Sequence, residues 1–330
     1  MENEIPFESL TPVTILQAID SLGFFTSGSL LALNSYENRV YQVGLEEGEQ
    51  PIIAKFYRPG RWSKGAILEE HEFSRQLFEN DISVVPPLLI NNNTLHEFNG
   101  YRFALYERKP GRAPDVSIDS DLEQMGRLLA RIHLVGRSFP FVYREKLDVH
   151  SRGYLAQEFI LKNRFLPDYL ALSYENLTMQ LLELCERQFN FYQDIRFQSI
   201  HGDFHLGNIL SDGERFFIVD LDDAVSGPCV QDLWMLLSGE HDERQYQLNK
   251  ILKGYLQFKD FDPVELHLLE VLKTLRIIHY SGWLAKRWHD PAFPYAFPWF
   301  NTARYWEEHI NSLQEQLFNM QNTDELLAVV

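Results

Sequence analysis

His201-Gly202-Asp203-Phe204-His205-Leu206-Gly207-Asn208-Ile209-Leu210, followed shortly by Phe216-Phe217-Ile218-Val219-Asp220-Leu221-Asp222-Asp223, is the stretch on which the reading of the fold turns. Asn208 opens an apolar run, Ser211 to Glu214 form a polar turn, and Phe216 to Val219 are apolar again. Two short apolar runs about such a turn predict a β-hairpin. The hairpin would return Asp220 to the side of Asn208, with Asp203 on the loop just before it. Carboxylate and amide oxygens gathered this way are hard donors of the kind that hold Mg²⁺, with one carboxylate left to receive a proton. These are the residue types that transfer of a phosphoryl group from a nucleotide to a hydroxyl requires.

Two other readings compete. Asp203 and Asn208 could bond only their own backbone in a turn, but the hairpin and the second aspartate would then be coincidental. His201 and His205 flank Asp203 in a His-x-Asp-x-His pattern that would suit a transition metal. No further histidine pair follows at helical spacing, and that reading leaves Asn208, Asp220 and Lys55 without a role.

The 330 residues exceed what one hydrophobic core usually serves, so two lobes are expected. A hydrophobic fraction of 45% with 14% aromatics describes a globular chain with an ample core. The sequence shows neither a basic-plus-apolar leader nor a long uncharged apolar run, so no membrane partner is expected and the cytoplasm is the expected location. Two cysteines, Cys185 and Cys229, cannot form a disulfide framework and read as reduced and structural. A net charge of −17 argues against a nucleic-acid partner, which would reward clusters of Lys and Arg, and favours a cationic acceptor or basic peptide.

Along the chain, Thr11 before Pro12 predicts a short helix to Leu22. Ser29–Asn34, Arg39–Leu45, Pro51–Tyr57, Ser83–Ile90, Asn93–Phe98 and Tyr101–Tyr106 read as strands, six runs from which a five-stranded antiparallel lobe is expected. Lys55 sits within an apolar strand, where an ammonium needs a partner or a ligand to offset its desolvation. The next helical run, Ala66 to Leu77, offers Glu69, Glu70 and Glu72 in three directions, and the pattern leaves the choice open. Arg108-Lys-Pro-Gly-Arg112 breaks the strand pattern and reads as a linker. Beyond it Leu122, Met125, Leu129 and Ile132 form the apolar stripe of a core helix, with His133 at its end read as a packed or solvated histidine rather than a neighbour of the catalytic loop. Val230–Leu237 reads as a helix start carrying Asp232, and Val264–Trp288 as a long helix. The aromatic, Pro-rich Asp290–Phe300 suits a wall of an acceptor cleft. The tail after Gln321 is expected to fray.

The loop and the Val219-Asp-Leu-Asp-Asp223 run resemble the kinase-like phosphotransferases, the group that holds aminoglycoside phosphotransferases, choline kinases and homoserine kinases. Leu33-Asn-Ser-Tyr-Glu-Asn-Arg-Val-Tyr41, Lys55-Phe-Tyr-Arg-Pro59, Val230-Gln-Asp-Leu-Trp-Met235 and Asp290-Pro-Ala-Phe-Pro294 extend the likeness, which is to the bacterial stress response kinase A family, from Phe7 to Leu317. The resemblance implies an α+β, bilobal, protein-kinase-like fold with a small antiparallel-sheet N-lobe and a larger, mainly helical C-lobe. A nucleotide-binding lobe would span residues 1–107 and a catalytic, acceptor-binding lobe residues 108–330, with the hinge at 107–112. It implies ATP as co-substrate, Mg²⁺ as cofactor, protein serine and threonine as acceptors, a role in surviving stress, and a monomer.

By the same resemblance Asp203 is the catalytic base, Asp220 serves catalysis and, with Asn208, the metal, and Lys55 and Ser35 position the phosphates. Glu70 is favoured as the partner of Lys55 on its kinase-like separation, Glu107 lies where hinge backbone meets an adenine edge, and Asp232 supports the loop. Asp222 or Asp223 would assist the metal from behind. The chain lacks the Gly-x-Gly-x-x-Gly of eukaryotic protein kinases, so Ser35 stands in a plain hairpin turn. The short span from Asp220 to Asp232 leaves no room for a long peptide-cradling segment and on physical grounds favours a small hydroxyl compound. A nucleotide-binding pseudokinase is the non-enzyme alternative.

Overall fold

The computed structural model describes residues 6–46, 48–115, 118–213 and 215–322. The elements follow in the order α1 (Pro12–Asp20), β1 (Thr26–Ala32), β2 (Arg39–Leu45), β3 (Ile52–Phe56), α2 (Lys64–Glu79), β4 (His96–Phe98), β5 (Tyr101–Glu107), α3 (Asp119–Ser138), α4 (Leu155–Lys162), α5 (Asp168–Phe191), β6 (Gln198–Ile200), β7 (Ile209–Ser211), β8 (Phe216–Ile218), β9 (Val225–Gly227), α6 (Val230–Trp234), α7 (His241–Tyr255), α8 (Leu269–Arg287), α9 (Ala292–Ala296) and α10 (Ala303–Gln321). They form two compact units. The first comprises residues 1–145, 198–225 and 249–259, the second residues 146–197, 226–248 and 260–330.

The first unit is built on a five-stranded sheet in the order β1-β2-β3-β5-β4. All its pairings are antiparallel. Alternation puts Val43, Ala54, Phe56, Phe103 and Leu105 into a core closed by Ile15 and Ile19 of α1. That helix starts where expected, because the Thr11 hydroxyl accepts a hydrogen bond from the Thr14 amide and Pro12 takes the first helical position. β1 begins three residues early, with an irregularity between Thr26 and Leu30 where Gly28 adopts φ +82°.

Ser83–Ile90 is not a strand. Pro86 and Pro87 lack the amide protons a ladder needs, and the segment makes only isolated bridges, Val84 parallel to Ile218, Pro87 antiparallel to Tyr106 and Ile90 antiparallel to Asn93. Through Val84 it ties the sheet to the hairpin of β7 and β8, whose strands pair antiparallel with Ile209 opposite Ile218. The linker does the same from the other side: the Ser211 amide donates to the Arg112 carbonyl at 2.7 Å and the Arg112 amide to the Ser211 carbonyl at 3.1 Å. The site-bearing hairpin is thus held within the first unit by two chain segments.

α3 carries the expected stripe, with Leu122, Met125, Leu129 and Ile132 all buried, and packs on β6. Gly136 permits this closeness, since a Cβ there would lie 1.9 Å from the Ser199 carbonyl oxygen. His133 is buried and its Nδ1 is 2.9 Å from the Tyr255 hydroxyl, a packed histidine as expected.

The second unit is helical around α4, α5, α8 and α10. Trp306 and Tyr174 meet edge to face in its core at 6.0 Å. The long helix expected from Val264 is a 3-10 turn over Pro263–Leu268 followed by α8. Asp232 is buried in the first turn of α6, and Asp290–Phe300 holds only the short α9. Cys185 and Cys229 are buried and not joined in a disulfide, and burial pushes the Cys185 thiol up to about 12. No helix among the described residues is long and apolar enough to cross a membrane. The tail expected to fray lies, from residue 323 on, outside the described residues, as does Glu214 of the hairpin turn.

Because the α3–β6 contact is backbone against backbone, Gly136→Ala should destabilise the fold by roughly 1–3 kcal/mol through overpacking. Urea denaturation compared with a surface Gly→Ala control measures this.

Candidate active site

Lys55 in β3 organises the site. Its Nζ lies 2.9 Å from Asp220 Oδ1, 3.4 Å from Asp222 Oδ1 and 3.7 Å from Glu70 Oε1, with only 8% of its side chain exposed. Burial alone would lower the Lys55 pKa, but these carboxylates outweigh it and hold it well above its ordinary value. Lys55 is therefore a charged ammonium at neutral pH.

The three glutamates of α2 separate cleanly. Glu70 is buried and faces Lys55, and its other oxygen is 3.0 Å from Arg144 Nη2. Glu69 instead accepts the backbone amides of Val142, Tyr143 and Arg144 at 2.6 to 2.8 Å. Glu72 pairs with Arg75 at the surface. Burial pushes Glu70 upward while Lys55 and Arg144 pull it back.

Asp222 and Asp223 also part company. Asp222 is 2% exposed, accepts from Asn38 Nδ2 at 3.1 Å and pairs with Arg61 Nη1, while Asp223 pairs with Arg61 Nη2 at 2.5 Å. Burial would raise the Asp222 pKa, yet Arg61, Lys55, Arg144 and the Asn38 hydrogen bond hold it well below the usual carboxylate range. Asp222 therefore braces the ammonium from inside, whereas half of the Asp220 side chain reaches solvent.

The hairpin places the remaining residues. The Val219 amide donates to the Asn208 carbonyl at 3.0 Å, which sets Asp220 next to Asn208 along the backbone. Asp220 adopts φ +58°, a left-handed conformation that costs an ordinary residue about 1 kcal/mol or more. The side-chain amide of Asn208 donates to the Asp203 carbonyl at 2.9 Å and closes the loop. His201 is buried beneath it. Its Nδ1 accepts the Asp203 amide at 3.3 Å, so its Nε2 carries the proton donated to the Val219 carbonyl, also at 3.3 Å. Gly202, at φ +81°, leaves no room for a Cβ, which would sit 2.3 Å from the Asp223 carbonyl oxygen.

Ser35 bonds the Asn38 carbonyl at 3.3 Å. Asn38 then spans to Asp222 and, through Oδ1, to the Arg58 amide at 3.1 Å. Arg58 grips the same turn, its Nε donating to the Glu37 carbonyl at 2.9 Å. Glu107 stands apart from this cluster at the end of β5, opposite Ile52, its side chain paired with Lys109 at 2.7 Å. Asn38, Arg61 and Arg144 were not singled out in the sequence. Asn38 could have been, as it closes the Asn34-Ser-Tyr-Glu-Asn38 turn, whereas nothing local marks Arg144.

The donor set suits a hard divalent cation. Lys55, Arg61 and Arg144 face Glu70, Asp220, Asp222 and Asp223, so the named groups carry one negative charge in excess. Among the described residues no three His, Cys, Asp or Glu side chains cluster to cage a metal. Mg²⁺ is commonly held by one or two side chains plus phosphates and water, for which Asn208 and the solvent-facing Asp220 provide oxygens.

Comparison with known proteins agrees with this geometry. Residues 29–269 match the phosphotransferase enzyme family. The chain is 37% identical over 316 residues to the serine/threonine protein kinase RdoA of Salmonella typhimurium, covering 96% of this chain and 95% of that protein. It is 38% identical over 311 residues to stress response kinase A of Escherichia coli K12, covering 94% and 93%. Amicoumacin kinase hAmiN, solved in complex with AMP-PNP and Ca²⁺, shares the fold with a TM-score of 0.68 at 19% identity, over 90% of this chain and 93% of that one.

Behind Lys55, the buried His71 bonds the Tyr57 hydroxyl at 2.7 Å and the Thr94 hydroxyl at 2.8 Å, and burial, with Lys55 and Arg144 nearby, pushes its pKa down to about 3. The unfolded chain takes up a proton near pH 6.5 that the folded chain refuses, so this stability is fully present above that value and is lost as pH falls toward 3. From this group stability should fall by about 1.4 kcal/mol per pH unit below pH 6, and His71→Gln should flatten the slope by one proton. Urea titrations between pH 7 and pH 4 read this directly.

Proposed function

Because the chain belongs to the phosphotransferase enzyme family, within which it matches stress response kinase A along almost its whole length, we propose that it moves the γ-phosphoryl group of ATP, with Mg²⁺, to serine or threonine hydroxyls of protein substrates in a bacterial stress response. Transfer of phosphate to a hydroxyl is the activity its family and kinase relatives carry. The observation that carries the reading is the buried Lys55 ammonium held between Glu70 and Asp220, beside a loop that presents Asp203 and Asn208.

In this reading Asp203 orients the acceptor hydroxyl and receives its proton. Lys55 meets the phosphates, and the Ser35 turn covers them with backbone amides. Asn208 and Asp220 would hold Mg²⁺, which supplies charge neutralisation for the phosphate oxygens. Backbone at Glu107 pairs with the adenine edge, and residues 107–112 are the hinge between a nucleotide-binding lobe at 1–107 and a catalytic, acceptor-binding lobe at 108–330. The protein would act as a cytoplasmic monomer.

A small hydroxyl compound is the second reading of the acceptor. It is favoured by the brevity of the segment after Asp220, where a turn at Leu221–Asp223 and β9 lead directly to α6 at Val230.

Purified protein incubated with labelled ATP and Mg²⁺, a basic protein and a panel of small alcohols tests both. Label is expected on protein serine or threonine; label on a small compound alone would replace the first acceptor by the second, and ATP binding without transfer would support a pseudokinase. Asp203→Ala should lower turnover by roughly 10²–10⁴-fold with nucleotide affinity kept. Asp220→Ala should also abolish the metal dependence of nucleotide binding, measured by calorimetry. Equal losses of nucleotide affinity in both variants would overturn the division of roles.

A further inference from the structure

We propose that Arg144 is a positioning residue of the phosphotransfer centre, fixing the helix that presents Glu70 to the segment that follows Asp220. This rests on the phosphotransfer reading given above. The Arg144 side chain is fully buried. Its Nε donates to the Ala66 carbonyl in the first turn of α2 at 2.9 Å, its Nη2 meets Glu70 at 3.0 Å, and its Nη1 donates to the Asp222 carbonyl at 2.5 Å. The guanidinium Cζ lies over the Trp62 ring, 4.5 Å from its centroid.

One planar group thus binds α2 twice and, through Nη1, the segment after Asp220 at the Asp222 carbonyl and at 3.5 Å at the Ala224 carbonyl, in directions a guanidinium fork supplies and an ammonium does not. A buried carbonyl and a buried carboxylate both need donors, so the two partners cannot drift apart without leaving polar groups unpaired.

A second grip acts from the adjacent residue. Glu69 receives three successive amides, of Val142, Tyr143 and Arg144, so α2 holds the backbone of this segment with one glutamate and its guanidinium with the next. Gly65 completes the fit, since a Cβ there would come within 2.9 Å of the Tyr143 ring. The consequence falls on Lys55. With α2 fixed, the ammonium is shared between Glu70 and Asp220; with α2 released, Asp220 and Asp222 would keep it, away from a phosphate.

Hydrogen exchange and steady-state kinetics on the full chain test this with Arg144→Lys and Glu69→Gln. In Arg144→Lys, peptides covering 64–79 and 219–225 should exchange at least about tenfold faster together, while those from β3 and β5 keep their protection. Turnover should fall about tenfold or more with the acceptor KM within about twofold of wild type. Glu69→Gln, which keeps the guanidinium and weakens only the backbone grip, should give the same paired loosening at smaller amplitude, and it decides the matter if Arg144→Lys does not fold. Loosening of one segment without the other overturns the proposal, as does unchanged turnover in Arg144→Lys. If wild type transfers no phosphate, the functional reading fails, and the paired exchange still decides whether Arg144 couples the two segments.

Discussion

A charged ammonium inside a protein is the constraint from which this site follows. Lys55 occupies a central strand whose neighbours are apolar, and desolvating its charge costs several kcal/mol unless carboxylates surround it. No single element can supply them. Glu70 comes from the helix after the strand, and Asp220 and Asp222 come from a hairpin more than 160 residues further along the chain. Those carboxylates are themselves held by Arg61, Arg144 and Asn38, which pins the turn before β2 and the segment after α3 to the same point. Charge satisfaction thereby does structural work: the groups that keep Lys55 ionised also fix the relative places of sheet, helix and loop.

The backbone accepts strain to make this possible. Asp220 is left-handed without being glycine, and Gly202 is left-handed where a side chain would strike Asp223. Asp220 lies where the loop must turn sharply to present a carboxylate outward while a neighbour two residues on is buried. Asp220 and Asp222 show the result, the first half in solvent and the second sealed. His201, bonded to both the loop and Val219, holds the two stretches in register.

Much of this was legible in the sequence, where local patterning governs. The hairpin, the α1 cap and the buried stripe of α3 follow from residue order, and Lys55 betrayed itself as a charge in an apolar run. The family likeness supplied the bilobal fold and the preference for Glu70. The residues that escaped do so for a physical reason. Arg144 and Arg61 sit in stretches without period, and their partners are distant in sequence, so only the folded chain brings donor and acceptor together. Ser83–Ile90 misled because its apolar composition resembles a strand while two prolines remove the ladder that would make it one. The choice among Glu69, Glu70 and Glu72 depended on which side of α2 faces the strand, and an apolar stripe interrupted by glutamates does not fix that angle.

The reciprocal pair of backbone hydrogen bonds between Arg112 and Ser211 makes the linker a measuring rod. Arg112 lies five positions after Glu107, which is locked opposite Ile52 at the end of β5, and Ser211 lies three positions after Asn208, whose carbonyl is locked to Val219. The span from the sheet's end to the loop that carries Asn208 is therefore counted out in residues with both ends clamped. A residue added or lost between Glu107 and Arg112 must break a clamp, whereas substitutions there leave the count intact, except at Gly111, where a Cβ would come within 2.9 Å of Leu210. Among diverging descendants of this chain, the linker would thus be free to vary in chemistry outside Gly111 while remaining constant in length.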